Sequence, residues 1–219
     1  MAKVVLVHGA WHGAWCWEGV VDALEAKGVE VEAVELPLTS PAADVDAARD
    51  TIVAAGEGAV VCGHSYGGLV ITNAARGLPV GRLVYLAAFM TDQGEDPMGP
   101  LQAHPSPMMT AMRFDTGMLT IDESRLHECF YEDSSAERVA EIIPLLRPMP
   151  LGATWGVPGE PAWKKVPSTY VMCTHDKAID VGAQRAMAVH AEEVIEWPSD
   201  HSPFLTRPQE IADLLASYT

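Results

Sequence analysis

Six consecutive residues, Gly63 to Gly68, constrain the fold of this chain more than any other segment. They read Gly-His-Ser-Tyr-Gly-Gly, follow the apolar run 59–62 and precede the apolar segment 69–71. G-x-S-x-G between a strand pattern and a helix pattern is typical of a sharp turn that exposes a serine hydroxyl, and the turn needs small residues on either side. The sequence therefore predicts a strand-turn-helix unit with Ser65 as a candidate nucleophile. The alternative is a glycine-rich turn that contains a serine by chance.

Short β-rich segments alternate with helical patterns along most of the chain, which is typical of a parallel sheet covered by helices on both faces. The predicted fold class is α/β, with a doubly wound, mostly parallel sheet of six strands. Gly28 is expected to end the first helix and Asp44 to cap the second. Strands are predicted near 3–7, 30–34, 58–62, 82–87, 168–173 and 193–197, and helices near 16–27, 44–55, 66–76, 180–190 and 207–217.

Residues 90–166 interrupt this alternation after the fourth predicted strand. The segment holds seven of the ten methionines and many of the prolines. A long insertion in a compact α/β domain is usually a functional lid, so we predict one domain over 1–219, with its core in 1–89 and 167–219. Methionines fill gaps in small helical units or line adaptable apolar pockets, and Met109 and Met112 are candidate pocket residues. Helical segments are predicted near 106–113, 122–131 and 134–146.

Composition limits the partners and the location of the protein. The 219 residues carry a formal charge of −16, with a pI near 4.7, which argues against nucleic acid and anionic membranes. No apolar run reaches the ~18 residues of a membrane span, and the first residues lack the pattern of a secretion signal, so a cytoplasmic location is expected. The four cysteines form no C-x-x-C pair, so we expect neither a metal site nor a disulfide. The assembly state stays open, a homodimer included.

A serine nucleophile requires a base and an acid that orients the base. In open α/β sheets these groups follow late strands in the order Ser, Asp or Glu, His. Asp176 follows the predicted strand 168–173, and His201 follows the strand 193–197. We predict Asp176 as the acid and His201 as the base. Asp180 and Asp92 remain alternatives for the acid.

Two other histidines lie near this candidate site. His64 is adjacent to Ser65, but neighbouring residues at a turn project apart, so it is not expected to act as the base. His8 is expected to brace its own loop by hydrogen bonding.

Acyl transfer also needs hydrogen-bond donors directed at the developing oxyanion. The backbone N–H of Tyr66, which follows the nucleophile, is one expected donor. The loop 7–13 after the first strand supplies the second, and Ala10 is the predicted residue because Gly9 and Gly13 let its backbone approach. A dinucleotide fold is the alternative for a glycine-rich loop, but G-x-G-x-x-G is absent, so no cofactor is expected.

These motifs together resemble the α/β-hydrolase superfamily, and within it the branch of hydroxynitrile lyases and plant methyl esterases with bacterial relatives. The resemblance covers essentially the whole chain. It is carried by the loop 6–15, the turn 63–68, the segment 86–90 and the residues around Asp176 and His201. It implies a six-stranded parallel core and a Ser-His-Asp triad.

The resembled branch contains both ester hydrolases and lyases. In its lyases, a threonine stands at the position of Gly9 and a lysine at the position of Ser202. Gly9 and Ser202 are therefore esterase-like, and with Trp11 they are candidate pocket residues. The leading hypothesis is a cofactor-free serine carboxylesterase acting on small, largely apolar esters. The alternatives are a C–C lyase that uses the triad as a general base and a ligand-binding receptor on a hydrolase scaffold.

Overall fold

The main sheet of the protein lies at the centre of the fold, as shown by a computed structural model that describes residues 2–150 and 156–219. In chain order the strands are Val4–Val7 (β1), Val31–Val34 (β2), Val60–His64 (β3), Arg82–Leu86 (β4), Met112–Asp115 (β5), Met118–Ile121 (β6), Met149–Pro150 (β7), Ser168–Cys173 (β8) and Glu193–Trp197 (β9). The strand order of the main sheet is β2-β1-β3-β4-β8-β9, and every pairing is parallel. The predicted six-stranded sheet is thus confirmed.

The helices are Glu18–Glu25 (α1), Pro41–Ala55 (α2), Gly67–Ala74 (α3), Gly99–Ala103 (α4), Pro107–Ala111 (α5), Leu126–Phe130 (α6), Ala136–Ile142 (α7), Val181–Ala188 (α8), Pro203–Thr206 (α9) and Pro208–Ala216 (α10). Short 3₁₀ segments lie at Ala14–Trp17, Glu123–Arg125, Ile143–Leu145 and Ala162–Lys164. Across residues 2–150 and 156–219, none of the helices is long and apolar enough to span a membrane.

Apolar side chains on both faces of the central strands make two hydrophobic cores. In β1, Val4 and Leu6 join the core under α1 and α10, whereas Val5 and Val7 join the core under α2 and α3. Strand side chains alternate between faces, so an uninterrupted apolar run is what a sheet covered on both sides requires. This burial fixes the sheet and therefore the positions of the strand ends.

The second helix begins earlier than predicted. It starts at Pro41, and the Ser40 hydroxyl caps it by accepting a hydrogen bond from the Ala43 N–H at 3.2 Å. The prediction of Asp44 as the cap was therefore wrong. Proline fits the first turn because that position has no helical hydrogen bond to lose. Asp44 is instead buried, 1% exposed, and takes part in the site described below.

The inserted segment between β4 and β8 is not purely helical. Helices α5, α6 and α7 lie within the three predicted helical segments, but the first ends at Ala111 and the chain continues into β5. Strands β5, β6 and β7 form a small antiparallel sheet. The turn between β5 and β6 is Thr116-Gly117, with φ of 48° and 80°, a geometry that favours a two-residue hairpin. The sequence analysis missed this hairpin.

Backbone strain is concentrated at the carboxyl edge of the main sheet. Trp11, Leu38, Ser65 and Ala87 follow β1, β2, β3 and β4, and each has a positive φ, between 43° and 64°. Residues with a Cβ rarely adopt this conformation, and it persists only where surrounding contacts hold it. Four consecutive strand ends of this kind mark the edge where a site is expected.

The turn after β3 packs against β1 without room for a side chain at Gly67. A Cβ there would lie 2.5 Å from the Val7 carbonyl oxygen. We therefore expect Gly67→Ala to lower the free energy of unfolding in urea by about 1–3 kcal/mol through overpacking. Gly99→Ala is the matched control, since a Cβ at this first residue of α4 meets nothing within 4 Å. Equal stability of the two variants would contradict the close packing described here.

Candidate active site

Ser65 stands on the turn between β3 and α3. Its N–H donates to the Leu86 carbonyl at 3.2 Å, and its carbonyl accepts from the N–H groups of Gly68 and Phe89 at 3.0 and 3.1 Å. These bonds join the turn to the end of β4 and hold the positive φ of 53°. The serine is 8% exposed and lines a cavity. The local structure thus presents a hydroxyl at a fixed position, as the G-x-S-x-G pattern predicts.

Asp176 and His201 meet at the same edge of the sheet, after β8 and β9. The Oδ2 atom of Asp176 lies 2.7 Å from Nδ1 of His201, and both side chains are buried. A carboxylate accepts hydrogen bonds, so Nδ1 carries the proton in this pair and Nε2 is the remaining ring nitrogen. The other carboxylate oxygen of Asp176 accepts from the N–H groups of Ala178 and Ile179, at 2.7 and 2.8 Å.

The carboxylates of the two alternative acids, Asp180 and Asp92, contact other groups. Asp180 caps α8 by accepting from the Gly182 N–H at 2.7 Å. Asp92 forms an ion pair with Lys164 at 2.6 Å, and this pair holds the pKa of the Asp92 carboxyl below its usual range. Asp176 alone of the three candidates contacts His201.

Gln184 of α8 completes the surroundings of Asp176, and the sequence analysis missed it. Its Nε2 donates to Oδ2 of Asp176 at 2.9 Å, and its Oε1 accepts from the Cys173 N–H at 3.0 Å. The side chain is fully buried. Because Gln184 ties the carboxylate to the last residue of β8, it orients Asp176 toward the histidine. A buried glutamine on a helix face gives no recognisable sequence signal.

A cavity of about 370 Å³ opens beside Ser65. Ala10, Trp11 and Tyr66 form its wall near the serine, and side chains of the inserted segment form much of the rest. Most of its described lining is apolar, which suits an uncharged ligand. The other described lining residues are Phe89, Asp96, Pro97, Met98, Leu101, Met108, Met112, Phe114, Leu119, Pro150 and Ile179.

Three residues predicted for the pocket do not line this cavity. Met109 packs against the hydrophobic core, and its neighbour Met108 faces the cavity instead. Gly9 packs directly against Ser65, because a Cβ at this glycine would come within 2.9 Å of the Ser65 Cβ. Ser202 is fully buried, and its N–H donates to Asp200 at 2.8 Å.

The second helix supports the wall formed by Tyr66. The Tyr66 hydroxyl donates to Oδ2 of Asp44 at 2.8 Å, and Oδ1 of Asp44 accepts from the Leu38 N–H at 2.7 Å. Burial raises the pKa of the Asp44 carboxyl. One buried carboxyl therefore holds both the residue after the nucleophile and the strained turn after β2.

Three further histidines lie buried around the loop of residues 8–13, which we call the oxyanion loop after its expected role. Nδ1 of His8 contacts the Gly9 carbonyl at 2.8 Å, and its Nε2 accepts from the Leu36 N–H at 3.0 Å, so His8 braces the loop as predicted. Burial lowers the pKa of His8 to about 3. Nε2 of His64 donates to the His201 carbonyl at 2.8 Å, which directs this ring away from a role as the base.

His12 is the central support of the oxyanion loop. Its Nδ1 lies 2.7 Å from the Ala10 carbonyl, and its Nε2 lies 2.7 Å from the Tyr131 hydroxyl of the inserted segment. A carbonyl only accepts, so Nδ1 carries the proton and Nε2 accepts from the tyrosine. Burial lowers the pKa of His12 to about 4, because a charged ring loses its hydration there. The loop therefore rests on a neutral histidine.

The chain belongs to the alpha/beta hydrolase family, whose model matches residues 4–214. It is 30% identical to methylesterase 2 of Arabidopsis thaliana, over 96% of this chain and 93% of that protein. It is 28% identical to a pyrethroid hydrolase of Sphingobium wenxiniae, over 100% of this chain and 88% of that protein. Its fold is similar to that of polyneuridine aldehyde esterase, with a TM-score of 0.87 at 23% identity and 99% coverage of both chains. The predicted methylesterase-like branch is thus confirmed.

The neutral His12 makes the stability of the protein depend on pH. The pKa of His12 is about 4 in the folded protein against an ordinary value of 6.5, so between these values the unfolded chain binds more protons. Between pH 6.5 and about 4, this histidine therefore lowers the free energy of unfolding by about 1.4 kcal/mol for each pH unit of acidification. We expect His12→Gln to reduce the slope of unfolding free energy against pH by about that amount between pH 6.5 and 5.

The measurement is urea unfolding of both proteins at several pH values. At pH 8 His12 is neutral in both the folded and the unfolded protein. The difference in unfolding free energy between the two proteins at that pH therefore gives the cost of the substitution itself. An unchanged slope in His12→Gln would contradict a neutral, buried His12.

Proposed function

We propose that this chain is a serine carboxylesterase that hydrolyses small, largely apolar esters through an acyl-enzyme. One observation carries the proposal: the buried pair of Asp176 and His201 lies at the same sheet edge as Ser65, with 2.7 Å between Oδ2 and Nδ1. A serine, a histidine and a carboxylate in this order and setting form a nucleophile, its base and the group that orients the base.

The proposed reaction begins when Ser65 Oγ attacks the ester carbonyl carbon. Nε2 of His201 takes the hydroxyl proton, and Asp176 stabilises the imidazolium that forms. As the tetrahedral intermediate collapses, His201 returns the proton to the departing alcohol and the acyl group stays on Ser65. A water molecule then attacks the acyl carbon with His201 again as the base. The carboxylic acid leaves and Ser65 regains its proton.

The backbone N–H groups of Ala10 and Tyr66 are the proposed donors to the oxyanion. Both residues line the cavity beside Ser65. Donors fixed before the reaction stabilise the developing charge without reorganising, and removal of one such donor typically costs 10²–10³ in kcat. The supports of these two residues, His12 and Asp44, keep the donors in place.

The cavity supports an apolar substrate of modest size. Its volume of about 370 Å³ lies at the lower end of ligand pockets, and Met98, Met108 and Met112 contribute flexible apolar surface. The inserted segment covers the serine as a lid in this proposal. The substrate is a small-molecule ester, and no cofactor takes part. Location in the cytoplasm stays a prediction.

The relatives support ester hydrolysis as the reaction. The names methylesterase and pyrethroid hydrolase describe proteins that align over nearly the whole chain. Such coverage includes both the core strands and the inserted segment. These names support ester hydrolysis, whereas the serine mechanism is proposed from the arrangement of Ser65, Asp176 and His201.

The lyase alternative receives less support from the site. A departing cyanide ion needs a nearby cation or strong donor. Among the described residues that line the cavity, none is lysine or arginine. Lys177, next to the acid, forms an ion pair with Glu132 at 2.6 Å. The receptor alternative leaves the buried Asp176–His201 pair without a role.

The proposal predicts that Ser65→Ala lowers kcat/KM for p-nitrophenyl esters by about 10⁴-fold or more, since the nucleophile is lost. Labelling of the protein by a fluorophosphonate should disappear in the same variant. Ser217→Ala, at the end of α10, is the matched control and should retain both properties.

Retention of several per cent of the ester activity by Ser65→Ala would contradict the assignment of the nucleophile. Mandelonitrile is assayed beside the ester in the wild-type protein. Cyanide release at a kcat/KM comparable with that for the ester would favour the lyase. Ligand binding without labelling or turnover would favour the receptor.

A further inference from the structure

Arg147, near the end of the inserted segment, contacts the oxyanion loop through both its backbone and its side chain. Its backbone N–H donates to the Trp11 carbonyl at 2.8 Å. Its guanidinium donates to the His12 carbonyl from Nε at 3.2 Å and from a terminal nitrogen at 2.7 Å. That terminal nitrogen also donates to the Leu36 carbonyl at 3.1 Å. One residue thus binds two consecutive carbonyl groups of the loop.

Glu35 fixes the position of the guanidinium. Oε1 of Glu35 forms an ion pair with Arg147 at 2.7 Å, and Oε2 accepts from the Ala14 N–H at 2.7 Å. The carboxylate therefore connects the arginine to the segment directly after the oxyanion loop. A planar guanidinium suits this task because its donors point in fixed directions, whereas a lysine offers a single mobile charge.

The inserted segment also holds the side chain of Trp11. The indole N–H of Trp11 donates to the Leu119 carbonyl of β6 at 2.9 Å. Leu119 pairs in the small sheet with Met149, two residues after Arg147. The inserted segment therefore holds Trp11 at two points: Arg147 binds its carbonyl, and Leu119, which pairs with Met149 near Arg147, binds its indole.

Trp11 needs this support because its φ is 64°. It is the residue after Ala10, whose N–H is the proposed oxyanion donor. Arg147 holds the backbone carbonyls of Trp11 and His12, and the His12 ring in turn holds the Ala10 carbonyl at 2.7 Å. The direction of the Ala10 N–H thus depends on hydrogen bonds from the inserted segment as well as on the packing of Ala10 and Trp11 in the core.

We propose that Arg147 is a positioning residue that sets the oxyanion loop in its reactive geometry. The inference rests on the proposed function, since it assigns Arg147 to the oxyanion donor of that same reaction. Arg147 acts through the loop, because it is not among the described residues that line the cavity. Its loss should therefore weaken stabilisation of the transition state more than binding of the substrate.

The test compares Arg147→Ala with Arg138→Ala in the full chain. Arg138 lies in the same inserted segment, and its guanidinium pairs with Glu141 on the surface of α7. We expect Arg147→Ala to lower kcat for a p-nitrophenyl ester by about 10²-fold, the usual cost of a displacement near 1 Å in a site, with KM changed little. Arg138→Ala should retain the wild-type kcat.

Added guanidinium ion, at concentrations well below those that unfold proteins, should restore part of the kcat of Arg147→Ala. Arg147→Lys should fall between the alanine variant and the wild type. The affinity for a trifluoromethyl ketone, which forms a tetrahedral adduct, should drop in parallel with kcat/KM. A loss confined to KM, or a loss that guanidinium does not rescue in a folded variant, would overturn the proposal.

Amide hydrogen exchange in the peptide that covers residues 8–13 separates this proposal from the proposed function. Faster exchange in Arg147→Ala but not in Arg138→Ala supports the positioning of the loop, whatever the reaction. Unchanged exchange overturns the positioning role. If the wild-type protein neither turns over esters nor reacts with a fluorophosphonate, the proposed function fails while the exchange result still decides the role of Arg147.

Discussion

The structure depends on one constraint, the strained turn that holds Ser65 at the carboxyl edge of the sheet. A left-handed conformation costs on the order of 1–3 kcal/mol for a residue with a Cβ, and the same edge holds three more such residues. The hydrogen bonds of the Ser65 backbone to Leu86, Gly68 and Phe89 offset that cost. Two hydrophobic cores fix the strands, so the strain cannot relax by moving their ends.

The buried polar groups around this edge are held by partners from distant parts of the chain. Asp176 receives hydrogen bonds from two backbone N–H groups and from Gln184, as well as contacting His201. A buried charge is stable only when its hydrogen-bonding capacity is met. The neutral His12 links the oxyanion loop to Tyr131 in the same way. The inserted segment therefore contributes to the rigidity of the site as well as to its cavity.

The core of the fold and the order of the candidate residues follow from local patterns in the sequence. Continuous apolar runs predict strands buried on both faces, and the turn at Ser65 has a local steric signature. The supports of the site have no such signature. Arg147 and His12 are separated by 135 positions, and Trp11 and Leu119 by 108, so these contacts exist only once the tertiary structure has formed. Asp44 shows the same limit, because an aspartate near the start of a predicted helix suggests a cap. Its burial instead makes it the partner of the Tyr66 hydroxyl and the Leu38 N–H.

The central claim is that the hydroxyl of Ser65 becomes acylated during turnover. Rapid mixing of the wild-type protein with a p-nitrophenyl ester, followed by acid quenching and peptide mass spectrometry, tests it most directly. We expect an early burst of p-nitrophenol no larger than the enzyme concentration, with the acyl group on the peptide that contains Ser65. Steady ester turnover with the acyl group on another residue, or with no acylated peptide at any quench time, would contradict it.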